Sequence, residues 1–448
     1  MPLLLDLSAV SALANPERLG AFREAIDPAW IDSALEATGT ASLRKRRLPA
    51  EQVIWLVLGM GLMRDRPLTD VVGALDLVMP NSGRSNVTSS TISAARDRLG
   101  PEPLQWLFER TGAQWASNSS AREHWRGLSL YALDGTSMLV PDTLENRAHF
   151  GSASAGKRGD SGYPLVRVVA LIAPRSHILH GAAIGSYRDS SEASLSRDLF
   201  ASVPDNSLTL VDRNFLNAAT LVGIWRGGQQ RHWMTRTKST TKVKVLQKLG
   251  PGDDLVELEV TDRARKLDPT LPKNFVARAV RYQRPGFQPQ TVLTSLIDAA
   301  RFPRAEVAAL YHERWEIELA YGELKTDMLD AEPTLRSKDR EGIEQELWGL
   351  LLTYNLIRLE MQRVAIRVGV TPVRISFVMA MRMIRDEWMW SWGPSPGAIP
   401  KHLARLAEDL ARFVLPPRRE GRNFPRAVKV KMSNFPRKRT LATQPGLK

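Results

Sequence analysis

Near residue 128 the apolar residues stop recurring at helical spacing and begin to come in short unbroken runs. That change of period constrains the architecture more than any other feature of the chain. Before it, Ile54, Leu58, Gly61 and Leu62 keep the spacing of one helix face, as do Leu68, Val71, Val72 and Leu75. After it, residues 128–133 read as an apolar strand, 166–173 and 177–184 as a hairpin around Pro174-Arg175, and 208–211 as another buried strand. A helix through 215–225 and a fifth strand over 233–237 follow. Consecutive strands that give way to alternating helices and strands define an α/β fold, a mixed sheet flanked by helices.

At 448 residues the chain is too long for one ordinary core. Residues 1–122 read as an all-α N-terminal domain, and 123–238 with 303–395 as the sheet-containing core. Residues 239–302 form a strand-rich insertion (255–260, 275–282 and 291–297), and long helices follow over about 304–328 and 342–368. Residues 396–448 are a C-terminal segment ending in a basic tail. The last 31 residues hold ten Lys and Arg against one acid, Glu420, which is nine of the chain's fourteen surplus positive charges. A localised excess of this kind has the form of a clamp for the phosphate backbone of a nucleic acid.

Composition closes several routes. With no cysteine there is no disulfide framework, thiolate zinc site, iron–sulfur cluster or cysteine nucleophile. No G-x-x-x-x-G-K-[ST] run is present, so nucleotide hydrolysis is not implied. The seven histidines are scattered without metal-ligand spacing; His177 and His180 are expected in a strand. Residues 53–63, the longest apolar run, are about half the ~20 that a membrane helix needs. The start imitates a signal peptide through Ala12-Leu13-Ala14, but it has no basic n-region and Asp6 interrupts the apolar stretch, so an ordinary N-terminus is expected.

In the helical domain, a Gly/Ser/Asn-rich turn at 81–86 precedes a short helix over 90–99. Thr88 or Ser89 caps that helix, Gly100-Pro101 stops it, and it carries Arg96 and Arg98. Helix, turn and short helix have the form of a DNA-reading pair; a plain surface helix has the same pattern. Arg44-Lys45-Arg46-Arg47 reads as a solvated loop within reach of phosphate. The serine-rich runs at 117–120 and 186–196 read as loops or helix starts.

Three carboxylates stand out by position. Asp134 closes the first strand in Leu133-Asp134-Gly135-Thr136, and Asp212 closes the fourth in Val211-Asp212-Arg213. An acid at a strand end is common, so neither is diagnostic alone. The third is Glu318. At about 100° per residue, Tyr311, Arg314, Glu318 and Lys325 fall within a ~60° arc of one helix face, beside an apolar stripe of Leu310, Ile317 and Leu324. Such a face suits a site; it also suits an intrahelical ion-pair ladder, because Arg314 and Glu318 are an i,i+4 pair.

The series Tyr311-x2-Arg314-x3-Glu318-x6-Lys325 resembles the Y-R-E-K signature of bacterial insertion-sequence transposases of the DDE type, the insertion-sequence-four family. Other stretches agree: Asp134-Gly135-Thr136 with Pro141-Asp142-Thr143 and Asn146, Ser161-Gly162-Tyr163-Pro164, Asp212-Arg213-Asn214-Phe215, Leu335-Arg336-Ser337, and Tyr354-Asn355-Leu356-Ile357-Arg358. The tail segments Asn423-Phe424-Pro425-Arg426 and Asn434-Phe435-Pro436-Arg437-Lys438-Arg439 agree as well. The likeness runs from about residue 20 to the end, and Asn214 stands where the family often has glycine.

This resemblance implies a ribonuclease-H-like core with Asp134, Asp212 and Glu318 as catalytic, metal-binding triad, 78 and 106 residues apart in order. Three converging carboxylates repel one another unless cations intervene, and oxygen ligands of this kind suit Mg²⁺, with Mn²⁺ as substitute. Two such ions ~3.5–4 Å apart assist both the attacking and the leaving oxygen of an in-line phosphoryl displacement. The resemblance further implies that Arg314 and Lys325 hold DNA phosphates, that Tyr311 hydrogen-bonds one, and that Trp315 stacks on an unstacked terminal base or else packs in the core. Arg236 and Lys238, at the mouth of the insertion, are expected to contact strand ends. The partner is then double-stranded DNA, as terminal inverted repeats and as target, cut through a hairpin intermediate by a homodimer acting in trans. The setting is the bacterial cytoplasm at the nucleoid, with no membrane. A catalytically silent DNA-binding descendant and a stand-alone nuclease of the same fold are the alternatives, and the complete set of acids speaks against the first.

Overall fold

The computed structural model describes residues 25–41, 48–75, 87–154, 160–238, 240–284, 288–329, 334–390 and 399–417. The basic run at 44–47, the turn at 81–86, the N-terminal residues 1–16 and the basic tail lie outside the described residues. The remainder forms two compact units. One is drawn from the described residues within 1–112, 138–149 and 322–417, the other from those within 113–137 and 150–321. No helix of the described residues is long and apolar enough to cross a membrane.

The first unit is helical. Its early helices are α1 (Pro28–Ala37), α2 (Ala50–Leu62), α3 (Leu68–Ala74) and α4 (Ser89–Leu99), with α5 (Glu102–Ser120) leading out of it. After α6 (Leu144–Phe150), its later part contributes α12 (Arg340–Val368), α13 (Phe377–Trp390) and α14 (Ile399–Ala411), numbered in chain order past the helices of the second unit. Every residue of α2 except Glu51 is buried, which is the condition of a helix apolar all round. It lies close against α12: a β-carbon on Gly349 would come within 2.4 Å of Val57, and Thr353 Oγ1 donates to the Leu58 carbonyl at 3.1 Å. Asp339 caps the start of α12 through the Gly342 amide, and Gly369, at φ 69°, ends it in the left-handed conformation.

Thr88 caps α4, as expected, by accepting from the Thr91 amide. Arg96 does not face outward as a DNA-reading residue. It is buried, with Nε donating to Gln345 Oε1 at 2.8 Å and Nη2 to Ser337 Oγ at 2.9 Å. Its partners come from the far end of the sequence, so no local pattern announces its direction. Beside it, Glu346 accepts from Arg64 Nη1, from the Arg336 and Ser337 amides and from Ser337 Oγ. Arg358 pairs with Glu323, which also accepts from the Tyr354 hydroxyl at 2.7 Å.

The second unit is built on a ten-stranded sheet. Its strands are β1 (Ser129–Leu139), β2 (Ser152–Ser154), β3 (Asp160–Ala173), β4 (Ile178–Ser186), β5 (Ser207–Val211), β6 (Arg231–Arg236), β7 (Lys244–Gly250), β8 (Asp253–Glu259), β9 (Asn274–Tyr282) and β10 (Gln290–Thr294). The order is β2-β3-β1-β5-β6-β10-β9-β8-β7, with β4 paired to β3. β1, β5 and β6 run parallel, whereas β6, β10, β9, β8 and β7 follow one another antiparallel. The sheet is mixed, as the change of period requires. The strands expected in the insertion are present, and they extend the core sheet instead of standing apart. Helices α7 (Glu192–Asp198), α8 (Ala218–Arg226), α9 (Asp262–Leu267), α10 (Arg304–Leu310) and α11 (Trp315–Gly322) complete the unit.

Two local expectations change. β1 continues through Gly135-Thr136-Ser137 to Leu139, so Asp134 sits within a strand and not at its end. The helix expected over 304–328 is a continuous helical run of changing pitch: α10, a 3₁₀ turn Tyr311–Arg314, α11, then a π-helical stretch Glu323–Met328. A uniform 100° step therefore does not hold along this run, because a 3₁₀ turn rotates the chain more per residue than an α turn and a π turn less.

Candidate active site

Two neighbouring parallel strands set the first two acids side by side. Tyr131, Ala132 and Leu133 are almost wholly buried, as are all five residues of β5. The pairing Leu133↔Val211 makes the next residue of each strand an aspartate, just past the last paired position. Each side chain is aimed by one backbone amide. Asp134 Oδ1 accepts from Gly135 at 2.8 Å, and Asp212 Oδ2 accepts from Asn214 at 3.1 Å while capping the 3₁₀ turn Arg213–Phe215.

The helical run carrying Glu318 is tied to both strands. The Tyr311 hydroxyl donates to the carbonyl of Val211 at 3.4 Å, and the Tyr321 hydroxyl donates to the carbonyl of Asp134 at 2.7 Å. On a further side, Glu313 takes a two-pronged bond from Arg175 at 2.8 and 2.9 Å, and Glu316 meets His177 Nε2 at 3.0 Å. Both partners lie in the turn between β3 and β4, so His177 belongs to a turn, at φ 61°, and not to a strand.

Arg314 binds the acids together. Its Nη1 is 3.3 Å from Asp134 Oδ2 and 3.8 Å from Asp212 Oδ1, while Nη2 donates to Glu318 Oε1 at 2.7 Å. One guanidinium thus serves three carboxylates taken from a strand, a strand end and a helix. Burial pushes the Asp134 carboxyl up to about 7; the Gly135 amide and Arg314 oppose the rise, and the charges of Asp212 and Glu192 add to it. Burial would lower Arg314, but its bond to Glu318 and the charges around it raise it overall. Burial likewise pushes the Tyr311 hydroxyl up to about 12.

The other expected residues are placed as follows. Trp315 is 42% exposed, and Leu319, one turn on, is 36% exposed. Arg236 ends β6, donates to Gln290 Oε1 at 3.2 Å and lies close enough to Tyr311 to act on its ionisation. Lys238 is exposed, with its amide on Thr241 Oγ1. Lys325 belongs to the first unit, half-buried in the π-helical stretch, where burial lowers its pKa. The sequence reading did not single out Tyr321 or Glu192. Tyr321 carries a signal in hindsight, ten residues after Tyr311 and three after Glu318. Glu192 lay unnoticed in the serine-rich run, where Ser191 and Ser194 form the capping box of α7.

No group of three described His, Asp or Glu side chains is spaced to grip a metal ion directly, and Arg314 lies among the three carboxylates. The donor set nonetheless fits a divalent cation. All three ligand groups are carboxylates, the oxygen chemistry that Mg²⁺ and Mn²⁺ take, and all three already turn towards one positive charge.

Residues 125–356 match the family described as "Transposase DDE domain", and residues 16–109 match the one described as "Insertion element 4 transposase N-terminal". The mixed sheet is therefore the ribonuclease-H-like core of a DDE transposase, an enzyme that cleaves and transfers DNA strands. The chain belongs to the insertion-element-4 family of these transposases, which work on DNA with divalent metal ions. Among its relatives is the transposase InsG for insertion sequence element IS4 of Escherichia coli K12. It is 40% identical over 435 residues, covering 96% of each chain. A solved piggyBac transposase synaptic complex with hairpin DNA aligns over 93% of this chain and 86% of its own at 11% identity and a TM-score of 0.41, a likeness too loose to carry detail.

Proposed function

We propose that Asp134, Asp212 and Glu318 are the catalytic acids of this transposase and hold its divalent ions, two Mg²⁺ with Mn²⁺ as substitute. The observation that carries the reading is the convergence of the three carboxylates on one guanidinium. When bound, the ions supply Lewis-acid assistance to the attacking and leaving oxygens of the phosphodiester.

The chain's own residues then do the positioning. Arg314, which faces the three acids here, would be free to hold a DNA phosphate with a divalent cation bound to them; Lys325 holds a second phosphate. Tyr311 sets the helical run against the Asp212 strand and hydrogen-bonds the DNA backbone beside it. Trp315, exposed next to Glu318, stacks on an unpaired terminal base, which is worth ~1–3 kcal/mol. Arg236 and Lys238 contact strand ends at the start of the insertion.

In this reading residues 1–122 bind terminal inverted repeats, 123–238 with 303–395 perform the chemistry, 239–302 line the path of the strand ends, and 396–448 clamp phosphate. Nicking frees a 3′-hydroxyl, which attacks the opposite strand to form a hairpin. Forming the hairpin displaces the 3′-oxygen of the flanking DNA and so frees the element, and hydrolysis of the hairpin by water restores the 3′-hydroxyl that joins target DNA, within a homodimer that acts in trans at the bacterial nucleoid.

The test is strand cleavage of linear DNA bearing the gene's native flanking sequences, with Mg²⁺, for wild type and Asp134→Asn. Cleavage at a defined end by wild type alone is expected. Cleavage by Asp134→Asn at the wild-type rate would remove Asp134 from the reading, and specific binding without cleavage under either ion would leave only the DNA-binding alternative.

A further inference from the structure

A fourth acid lies against the site. Glu192 opens α7, where the Ser191 capping box fixes the first turn of the helix. From there its side chain crosses directly over Gly135, the residue after Asp134. A β-carbon at Gly135 would come within 2.4 Å of Glu192 Cγ, 2.6 Å of Cδ and 2.9 Å of Oε1. The carboxylate thus occupies the space that any other residue at 135 would fill, hard against the main chain that carries Asp134.

Its charge is only partly answered. Arg167 Nη1 is 3.7 Å from Glu192 Oε1, beyond hydrogen-bond reach, and the same guanidinium lies 4.3 Å from the centre of the Tyr187 ring. The stretch of main chain that Glu192 covers is the one the Tyr321 hydroxyl grips at the Asp134 carbonyl, at 2.7 Å, so the carboxylate lies beside the site and not apart from it. Arg314 already divides itself among three acids, and Glu192 is not one of them.

We propose that Glu192 is a fourth carboxylate of this site, held over Gly135 so that its charge raises the affinity for a divalent cation. Glu192 acts through the potential at Asp134 and is a positioning residue. The inference rests on the reading of Asp134, Asp212 and Glu318 as the acids that hold the ions. It also gives Gly135 a reason to be glycine that the turn-like sequence Asp134-Gly135-Thr136 does not, since Gly135 lies inside a strand and away from any turn.

The test is Mn²⁺ binding to the purified full-length protein without DNA. The signal of free Mn²⁺ in electron paramagnetic resonance reads occupancy, independent of cleavage. Asp134→Asn is expected to abolish tight binding, and Glu192→Gln to weaken it by roughly three- to tenfold, as loss of one nearby partly screened charge would. Glu192→Asp, which keeps the charge on a shorter stem, should recover most of the affinity. Arg167→Met, which removes a competing cation and keeps an aliphatic stem, should bind as tightly as wild type or more tightly.

Wild-type affinity in Glu192→Gln, with Asp134→Asn silent, overturns the role of Glu192 alone. So does an Arg167→Met variant weakened as much as Glu192→Gln, since that pattern marks a merely structural ion pair. Wild-type binding in Asp134→Asn overturns the three-acid reading and this inference with it. Melting curves by circular dichroism accompany each variant, and Glu192→Asp carries the test should Glu192→Gln fail to fold.

Discussion

The Tyr321 hydroxyl is bonded at 2.7 Å to the backbone carbonyl of Asp134. A side chain three residues beyond Glu318 therefore grips the main chain of the strand bearing the first acid, so the spacing between helix and strand is held by a bond that uses neither carboxylate. Replacing Tyr321 with phenylalanine keeps the ring and removes that part-buried bond, a loss of ~0.5–1.5 kcal/mol. We expect a lower melting temperature and single-turnover cleavage slowed by roughly tenfold, with DNA affinity unchanged. A cleavage rate equal to wild type in filter-binding-matched reactions would show that the tie is dispensable.

Arg314 is the cation shared by three acids. In Arg314→Gln those acids face one another without it, and like charges at close range destabilise the fold that gathers them. The variant should melt below wild type in metal-free buffer and gain more from added Mg²⁺ than wild type does. Equal gains from added Mg²⁺ in variant and wild type would contradict the idea that ion and guanidinium serve the same carboxylates.

The pair Arg358–Glu323 lies in the helical unit, with Arg358 almost inaccessible. Arg358→Met strands the Glu323 charge in a buried place, where breaking one partner of an ion pair costs about 3–5 kcal/mol. Urea unfolding should report that loss, and the double variant Arg358→Met with Glu323→Gln should recover part of it. A double variant no more stable than the single one would place the loss in packing instead of charge.

His180 is buried on β4, with Nε2 on the Ser202 carbonyl at 2.7 Å and its ring edge-on to Tyr131. Burial pushes its pKa down from 6.5 to about 4. The unfolded chain therefore binds the proton more readily than the folded one. The stability tied to neutral His180 is complete above about 6.5 and is lost as the pH falls towards 4, on the order of 3 kcal/mol over that window. Substitution by glutamine, which retains a donor for Ser202, should flatten the decline in melting temperature between pH 6.5 and 4. An unchanged slope would assign the acid sensitivity to other groups.

Much of this arrangement is legible in the sequence because it is local. The apolar run before Asp212, the period of α12 and the cap at Thr88 each depend on residues a few positions apart. What escaped depends on distant partners. Small polar residues after Asp134 hide the continuation of β1. Arg96 turns inward because Gln345 and Ser337, some 240 to 250 residues later, are there to receive it. The π-helical stretch after Gly322 has no composition of its own, so nothing local announces the change of pitch before Lys325. Glu192 was invisible for a plainer reason: its importance is that it touches a glycine, and a glycine offers no side chain to pair with in a pattern.

The strand-rich insertion leaves the core along β6 and returns along β10, which lies beside it: Arg236 is opposite Val292, and the Thr237 amide donates to the Thr291 carbonyl at 3.0 Å. Departure and return are thus stitched together before the chain proceeds to α10 and Glu318. The number of residues in the excursion has no mechanical leverage on the gap between the second and third acids. The segment is held like a tool head in a chuck: its size is its own affair, and the width of the grip is set by β6 and β10.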